Sequence, residues 1–489
     1  MTIKEDKTVY NCHTHVFTID HVPNYFSKKL IPVFYKIFTM NFIKWYYRNC
    51  TARGNHRVKK LKHKWNKIKY GFLDLLKKTI LLYWIYLLLK FVVSWAIKML
   101  TNLIRIDFLF NKRTKAAFNR YITMGRYSVA YKSQSKIFDL LEKSYAPNTR
   151  FVVLSMDMDY MQAGKPAVSY LKQIESLQKV RKNNPNMLPF IAVDPRRVAR
   201  TKQEKGNKNY ENFVKKQLKS GNFSGIKLYP ALGYYPFDKD LISIYEFAQK
   251  NEIPIIAHCI EGTVFYRGKK KKEWNQHPIL TYTKKKEEGP IPIPLPQSKN
   301  YDFTTNFTHP LNYHCLLKKD LLKKYIIDSN VPNLKNLKIC LAHFGGTKEW
   351  QKYRNDNWKI YNNNISHASK QDYEKYKNTL NHGSKRTIWW NASWLSVIYD
   401  LMVQYDHIYA DISFILYNEE LFPMLKFILE DEKVNHKILF GTDYYVVSHK
   451  KSEKVLYQNL QSYLGKDLFY KISNTNPKRF LSSKIKSYE

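Results

Sequence analysis

The chain has 489 residues, 44% of them apolar and 15% aromatic, which is enough to bury a large core and excludes a disordered protein. Its 82 Lys and Arg against 40 Asp and Glu leave a net charge of +42, an excess that points to nucleic acid or an anionic membrane surface. The five cysteines, at 12, 50, 259, 315 and 340, form no paired spacing, which excludes a disulfide framework or a zinc ribbon and fits a reducing, cytoplasmic setting.

The opening residues, MTIKEDKTVY, carry acids and no apolar stretch of signal-peptide type, so no secretory cleavage is expected. A strand-like run, VYNCHTHVF, follows at once. Others come down the chain: FVVLSMDMD from Phe151, LPFIAVDP from Leu188, FSGIKLYP from Phe223 and IPIIAHC from Ile253. LKICLAHFGG from Leu337, IYADISF from Ile408 and HKILFGTD from His436 complete a set of eight. Helix-like stretches such as YLKQIESLQKVRKN, NFVKKQLKS, LISIYEFAQKN, SWLSVIYDLMVQY and LFPMLKFILED lie between them. Runs that are apolar throughout suit parallel strands covered on both faces. Eight of them with intervening helices predict an α/β fold, a (β/α)8 TIM barrel spanning 1–489. The rival, an open doubly wound sheet, lacks a Gly-rich phosphate loop after an early strand.

Three connections exceed ordinary barrel loops and are expected to leave the carboxyl ends of strands as lid-like insertions: 21–145, 262–336 and 347–387. The second contains KKKKEW, KKKEEGP and the proline-rich IPIPLP; the third is rich in Asn, Lys and Tyr.

The candidate ligands stand at strand ends. His13 and His15, two apart on the first strand, are expected to point together into the barrel mouth. His258 ends the fifth run, His343 the sixth and Asp443 the eighth. Each alone has a bland explanation, a core histidine or a helix cap. Together, neutral imidazoles and a carboxylate suit a divalent ion, Zn²⁺ first and Mn²⁺ as the alternative, with a position left open.

The segments NCHTHVF, GIKLYPALGYYP, IPIIAHC, ICLAHFGG, SWLSVIYDLMVQYDHIYADIS and ILFGTD, in this order, resemble the amidohydrolase superfamily. They look most like its amidohydrolase-related branch, which includes aminocarboxymuconate-semialdehyde decarboxylase. The resemblance covers most of the chain outside the three insertions. It implies that His13, His15, His258 and Asp443 bind the catalytic metal, with Asp443 also moving protons and His343 free to act as a base or to polarise substrate. The family often has Asp two residues before the first histidine, where this chain has Asn11. Lys227, in GIKLYP, has two readings: a carboxylated lysine bridging two metals, as in binuclear members, or a plain cation gripping a substrate carboxylate or phosphate.

The reaction expected is hydrolysis of a C–N or C–O bond of a small molecule by metal-activated water. Non-oxidative decarboxylation is the first alternative, and a membrane-associated binding protein without turnover is the second. Tyr229, Arg267 and Trp389 are candidate substrate contacts. Cys12 and Cys259 adjoin ligands and are expected in the core, turned away from the metal.

From His21 to Ser135 there are 24 Lys or Arg and two acids, Asp74 and Asp107, so +22 of the charge sits on the first insertion. The same segment holds TILLYWIYLLLKFVVSWAIKML from Thr79, whose uncharged part is shorter than the roughly 20 residues a membrane span needs. Lys90, Ser94, Lys98, Thr101 and Arg105 follow at helical spacing as one polar stripe. This predicts a helix over 79–106 lying on an anionic membrane surface, peripheral on its inner face. A lid helix packed on the barrel and a homodimer contact are its rivals. TatD-type nucleases supply a metal-binding Glu from an inner strand; the runs from Phe151, Leu188 and Phe223 contain none, so nucleic acid is not expected as a partner.

Overall fold

A computed structural model of the chain describes residues 8–29, 35–51, 56–78, 84–89, 91–92, 94, 125–126, 130–262, 264–284, 289–295, 300–326, 330–356, 380, 384–447 and 450–485. Contacts divide it into two compact units, one of 1–17, 134–162 and 168–489, the other of 18–133 with 163–167.

The strands are β1 (Tyr10–Thr14), β2 (Arg150–Leu154), β3 (Met187–Ala192), β4 (Gly225–Leu228), β5 (Ile255–Ile260), β6 (Gln276–Tyr282), β7 (Ile291–Pro294), β8 (Ile339–Gly345), β9 (Ile408–Asp411) and β10 (Ile438–Leu439). Eight of them pair in parallel in the order β1-β2-β3-β4-β5-β8-β9-β10. The last meets the first: Cys12 N donates to Phe440 O at 2.8 Å and Asp443 N to His13 O at 2.9 Å. This is a (β/α)8 barrel, and each of its strands falls within one of the eight apolar runs to within one residue at an end.

The reason is burial on both faces. Every residue of β3 and of β8 is buried, so no polar alternation is needed to read them. Tyr10, Cys12, Leu154, Phe190, Ile256, Cys340, Tyr409 and Leu439 form one core cluster drawn from seven strands. The helices that return the chain cover the outside. Among the described residues of the first unit they include α3 (Gln134–Glu142), α4 (Tyr170–Asn183), α5 (Tyr210–Lys219), α6 (Ile242–Lys250), α7 (Trp394–Gln404), α8 (Phe422–Glu430) and α9 (Glu453–Tyr470). α7 shows the local logic. Ser393 caps it by accepting from Ser396 N, a bond contributing about 1 kcal/mol, and Leu395, Val397, Ile398, Leu401 and Met402 bury its apolar side.

The second insertion has order that its composition concealed: β6 and β7 form an antiparallel hairpin. Pro292 and Pro294 sit in β7, which pairs with a single neighbour and so tolerates residues without an N–H. Of the third insertion, 357–379 and 381–383 lie outside the described residues.

The second unit holds α1 (Met40–Cys50) and α2 (His56–Lys78). Lys44 pairs with Asp20 at 2.7 Å within it. The helix predicted over 79–106 lies largely outside the described residues, which cover only 84–89, 91, 92 and 94 of it; there Trp84, Leu88 and Phe91 are exposed. Among the described residues no helix is long and apolar enough to cross a membrane.

Candidate metal centre

The carboxyl ends of β1, β5, β8, β9 and the segment after β10 bring their polar residues together. The register of β1 against β2 shifts between Asn11 and Thr14, yet the alternation expected of a strand holds across these residues. Cys12 joins the core cluster, as expected of a core residue, while His13 and His15 both turn to Asp443. Their Nε2 atoms lie 3.8 and 3.4 Å from Asp443 Oδ1, and the three residues offer ligand atoms all within 4.8 Å of one another.

The other ring nitrogen of each histidine is committed. His13 Nδ1 donates to Asp411 Oδ2 at 2.9 Å and His15 Nδ1 to the Leu154 carbonyl at 3.1 Å. Both partners only accept, so the proton sits on Nδ1 and the Nε2 lone pair is free. His13 Nε2 is buried with no hydrogen-bond partner, as is His258 Nε2. Buried polar atoms are rarely left so in folded proteins. A divalent cation is a group that two imidazole nitrogens and a carboxylate fit.

Backbone strain concentrates here. His343 and Asp443 occupy the left-handed region with φ of 66° and 58°, at a cost of about 1–3 kcal/mol each. Two hydrogen bonds hold them: His343 N donates to Asp411 Oδ1 at 3.0 Å, and Asp443 N to His13 O at 2.9 Å. Gly441 explains the glycine of FGTD, since a Cβ there would stand 2.8 Å from His13 Cβ.

Burial holds the His13 ring well below the ordinary imidazole range, with Lys227 and His15 adding to the effect. It does the same for His258, seconded by His343. His343 is pushed down to about 3 by burial first and by His13 second. At neutral pH these rings are uncharged, the form that binds metal or accepts a proton.

His258 does not join the tight His13–His15–Asp443 group. Its Nδ1 lies 3.2 Å from His343 Nε2, and the Tyr229 ring stacks on it at 4.1 Å. His343 Nδ1 meets Ser413 Oγ at 2.8 Å. Lys227, on β4, is fully buried, its Nζ has no hydrogen-bond partner, and burial lowers its pKa to about 8 against the opposing pull of Asp411 and Asp443.

Two further expected substrate contacts, Trp389 and Arg267, are both buried in the barrel unit. Trp389 stacks on His309 at 3.9 Å, and its carbonyl accepts from His309 Nε2. Arg267 is fully buried, its guanidinium 4.2 Å from the Phe265 ring. Sequence reasoning missed Asp411 and Ser413. Asp411 also forms a ligand-like group with His13 and His343. Its oxygens are already taken, however, by His13 Nδ1, His343 N, Ser413 N and the Ser413 hydroxyl. It is a positioning residue, and its signal was the carboxylate ending IYAD at the same level as the other strand ends.

Asn11 finds its role beside the site. Its Oδ1 accepts from the backbone of His13 at 3.3 Å and of Thr442 at 3.2 Å, tying the two ligand-bearing segments together. Its amide donates to Glu453 Oε1, which also accepts from Tyr145 and Thr442 at 2.7 and 2.6 Å. Burial raises the Glu453 pKa to about 7. An acid raised in the fold favours the native state while protonated. Its contribution is therefore whole below about pH 4.5 and is lost as pH rises through about 7, a swing of about 3 kcal/mol. Glu453→Gln keeps the accepting oxygen and removes the charge. Chemical denaturation at pH 5 and pH 8 is expected to show the wild type losing stability between them and the variant not; equal losses would contradict the assignment.

The fold and the site thus define a TIM-barrel protein with a buried His/Asp group able to hold a metal ion. No family model and no curated protein matches the chain. Solved structures that match include an uncharacterized TIM-barrel protein from Bordetella bronchiseptica, 13% identical over 72% of this chain and 84% of that one, with a TM-score of 0.38.

Proposed function

We propose that the chain is a metal-dependent hydrolase of amidohydrolase type that cleaves a C–N or C–O bond of a small molecule. The observation that carries this is the convergence of His13 Nε2, His15 Nε2 and Asp443, with both tautomers set by Leu154 and Asp411. His13, His15 and Asp443 would hold the ion, Zn²⁺ or Mn²⁺, and His258 Nε2 is the further donor suggested by its lack of a partner. Such an ion supplies Lewis acidity and a water acidified to a pKa of about 7.

The chain's own groups supply the rest. Asp443, adjoining both Nε2 atoms, is placed to take a proton and pass it to a leaving group. His343, neutral and oriented by Ser413, can share that transfer or donate to a developing oxyanion. Lys227 in its cationic form grips a substrate carboxylate or phosphate, with Tyr229 beside it. The bridging reading of Lys227 also has support, because a buried lysine lowered to about 8 is readily neutral, the state that carboxylation needs.

Decarboxylation is the second reading, favoured by the buried cationic Lys227 as a carboxylate anchor. The two separate by product. Protein loaded with Zn²⁺ or Mn²⁺ is expected to hydrolyse activated esters, lactones or amides in a pH-dependent manner. Release of carbon dioxide from unsaturated carboxylic acids without hydrolysis would favour the lyase, and neither activity in a metal-loaded protein would overturn both. A cytoplasmic location is supported by five free thiols, four of them buried.

A further inference from the structure

The second unit presents a helix, over His56–Lys78, whose apolar stripe is exposed among the described residues. Its sequence over His56–Lys78 carries nine Lys or Arg against the single acid Asp74. At about 100° per residue, Val58, Leu61, Trp65, Ile68 and Phe72 fall within an arc of about 80°. In a helix packed on its own protein this stripe would be buried. Here Leu61 and Trp65 are each 66% exposed, Ile68 56% and Phe72 55%. Lysines border the stripe rather than only opposing it: Lys62 and Lys69 lie along one edge and Lys64 along the other.

We infer that this helix lies in the headgroup layer of an anionic membrane, with the Leu61–Trp65–Ile68–Phe72 stripe towards the acyl chains. The charge selects the occupant. A second copy of this chain would bring another strongly basic surface against the first, while anionic lipid neutralises it. Nucleic acid would take the lysines and leave the stripe in water. An interfacial helix uses both, because Lys stems snorkel from the apolar edge to the phosphates and the Trp ring sits at headgroup depth. The inference is independent of the metal chemistry, and its readouts do not involve activity.

The test is sedimentation of the full chain with vesicles of phosphatidylcholine alone or with roughly 30% phosphatidylserine, at low salt and at about 0.5 M salt. Binding is expected to the anionic vesicles only and to weaken with salt. Trp65→Glu with Ile68→Glu is expected to weaken it on the order of tenfold or more, as is Lys62→Glu with Lys69→Glu. Both residues of the first pair are exposed, so unchanged thermal melting should show that the fold survives. Any of three results would overturn the inference: no binding to anionic vesicles, binding indifferent to Trp65→Glu/Ile68→Glu, or a dimer that this pair dissociates. A duplex oligonucleotide that outcompetes the vesicles and ignores the same pair would assign the surface to nucleic acid instead.

Discussion

Replacing His13 and His15 together by alanine is expected to take bound divalent metal from about one equivalent per chain to less than about a tenth, and to lower kcat/KM on the order of a thousandfold or more. Two of the three residues that converge on one point would be gone, leaving Asp443 without the Nε2 atoms that face it at 3.8 and 3.4 Å. The barrel should survive. Both rings end a strand rather than fill its core, and the Cys12–Leu439 cluster beneath them is untouched. Metal analysis after dialysis, with circular dichroism to check the fold, reads the outcome. A variant that retains a full equivalent of metal would place the ion elsewhere.

Asp411 offers the second large effect through two different substitutions. Alanine leaves His13 Nδ1, His343 N, Ser413 N and the Ser413 hydroxyl without their acceptor in a fully buried place, at a cost on the order of 3–5 kcal/mol in stability. Asparagine keeps the shape, and its carbonyl oxygen can still serve His343 N and Ser413. Its amide, facing His13, donates to Nδ1 and forces the proton onto Nε2, the nitrogen meant for the metal. Asp411→Asn is therefore expected to fold and to bind metal about 10–100-fold more weakly. Competition against a chromophoric chelator measures it. Unchanged affinity would mean that Asp411 does not set the His13 tautomer.

Much of the barrel was legible because parallel strands buried on both faces leave an unbroken apolar signature. The run LKICLAHFGG became β8 with every residue buried, and YLKQIESLQKVRKN became α4 residue for residue. The candidate site residues were legible because His13, His15, His258, His343 and Asp443 stand at or near the ends of such runs. What escaped has physical causes. Asp411 reads locally as one more strand-ending carboxylate, and its role comes from hydrogen bonds to residues 398 positions away and 68 away, His13 and His343. The hairpin of β6 and β7 was hidden by Pro292 and Pro294, which argue against a strand until it is known to have a single neighbour. Arg267, a candidate substrate contact, is buried with its guanidinium against Phe265, a burial that the surrounding lysines do not reveal because local composition does not show how a loop folds back.

The charge follows the same division between pattern and context. Composition placed +22 on 21–135, and the 79–106 segment was the natural candidate for a membrane surface. The described helix over His56–Lys78 carries the clearer stripe, scattered among lysines that mask it in a simple hydropathy reading.

An anomalous-difference map from crystals of the full chain, collected across the Zn²⁺ absorption edge after growth with the metal, tests the site most directly. The expected result is a peak within about 2.0–2.2 Å of His13 Nε2, His15 Nε2 and an Asp443 oxygen. Density extending from Lys227 Nζ to a second peak would select the bridged form. No peak at the point where His13, His15 and Asp443 converge would contradict the metal centre and, with it, the hydrolase.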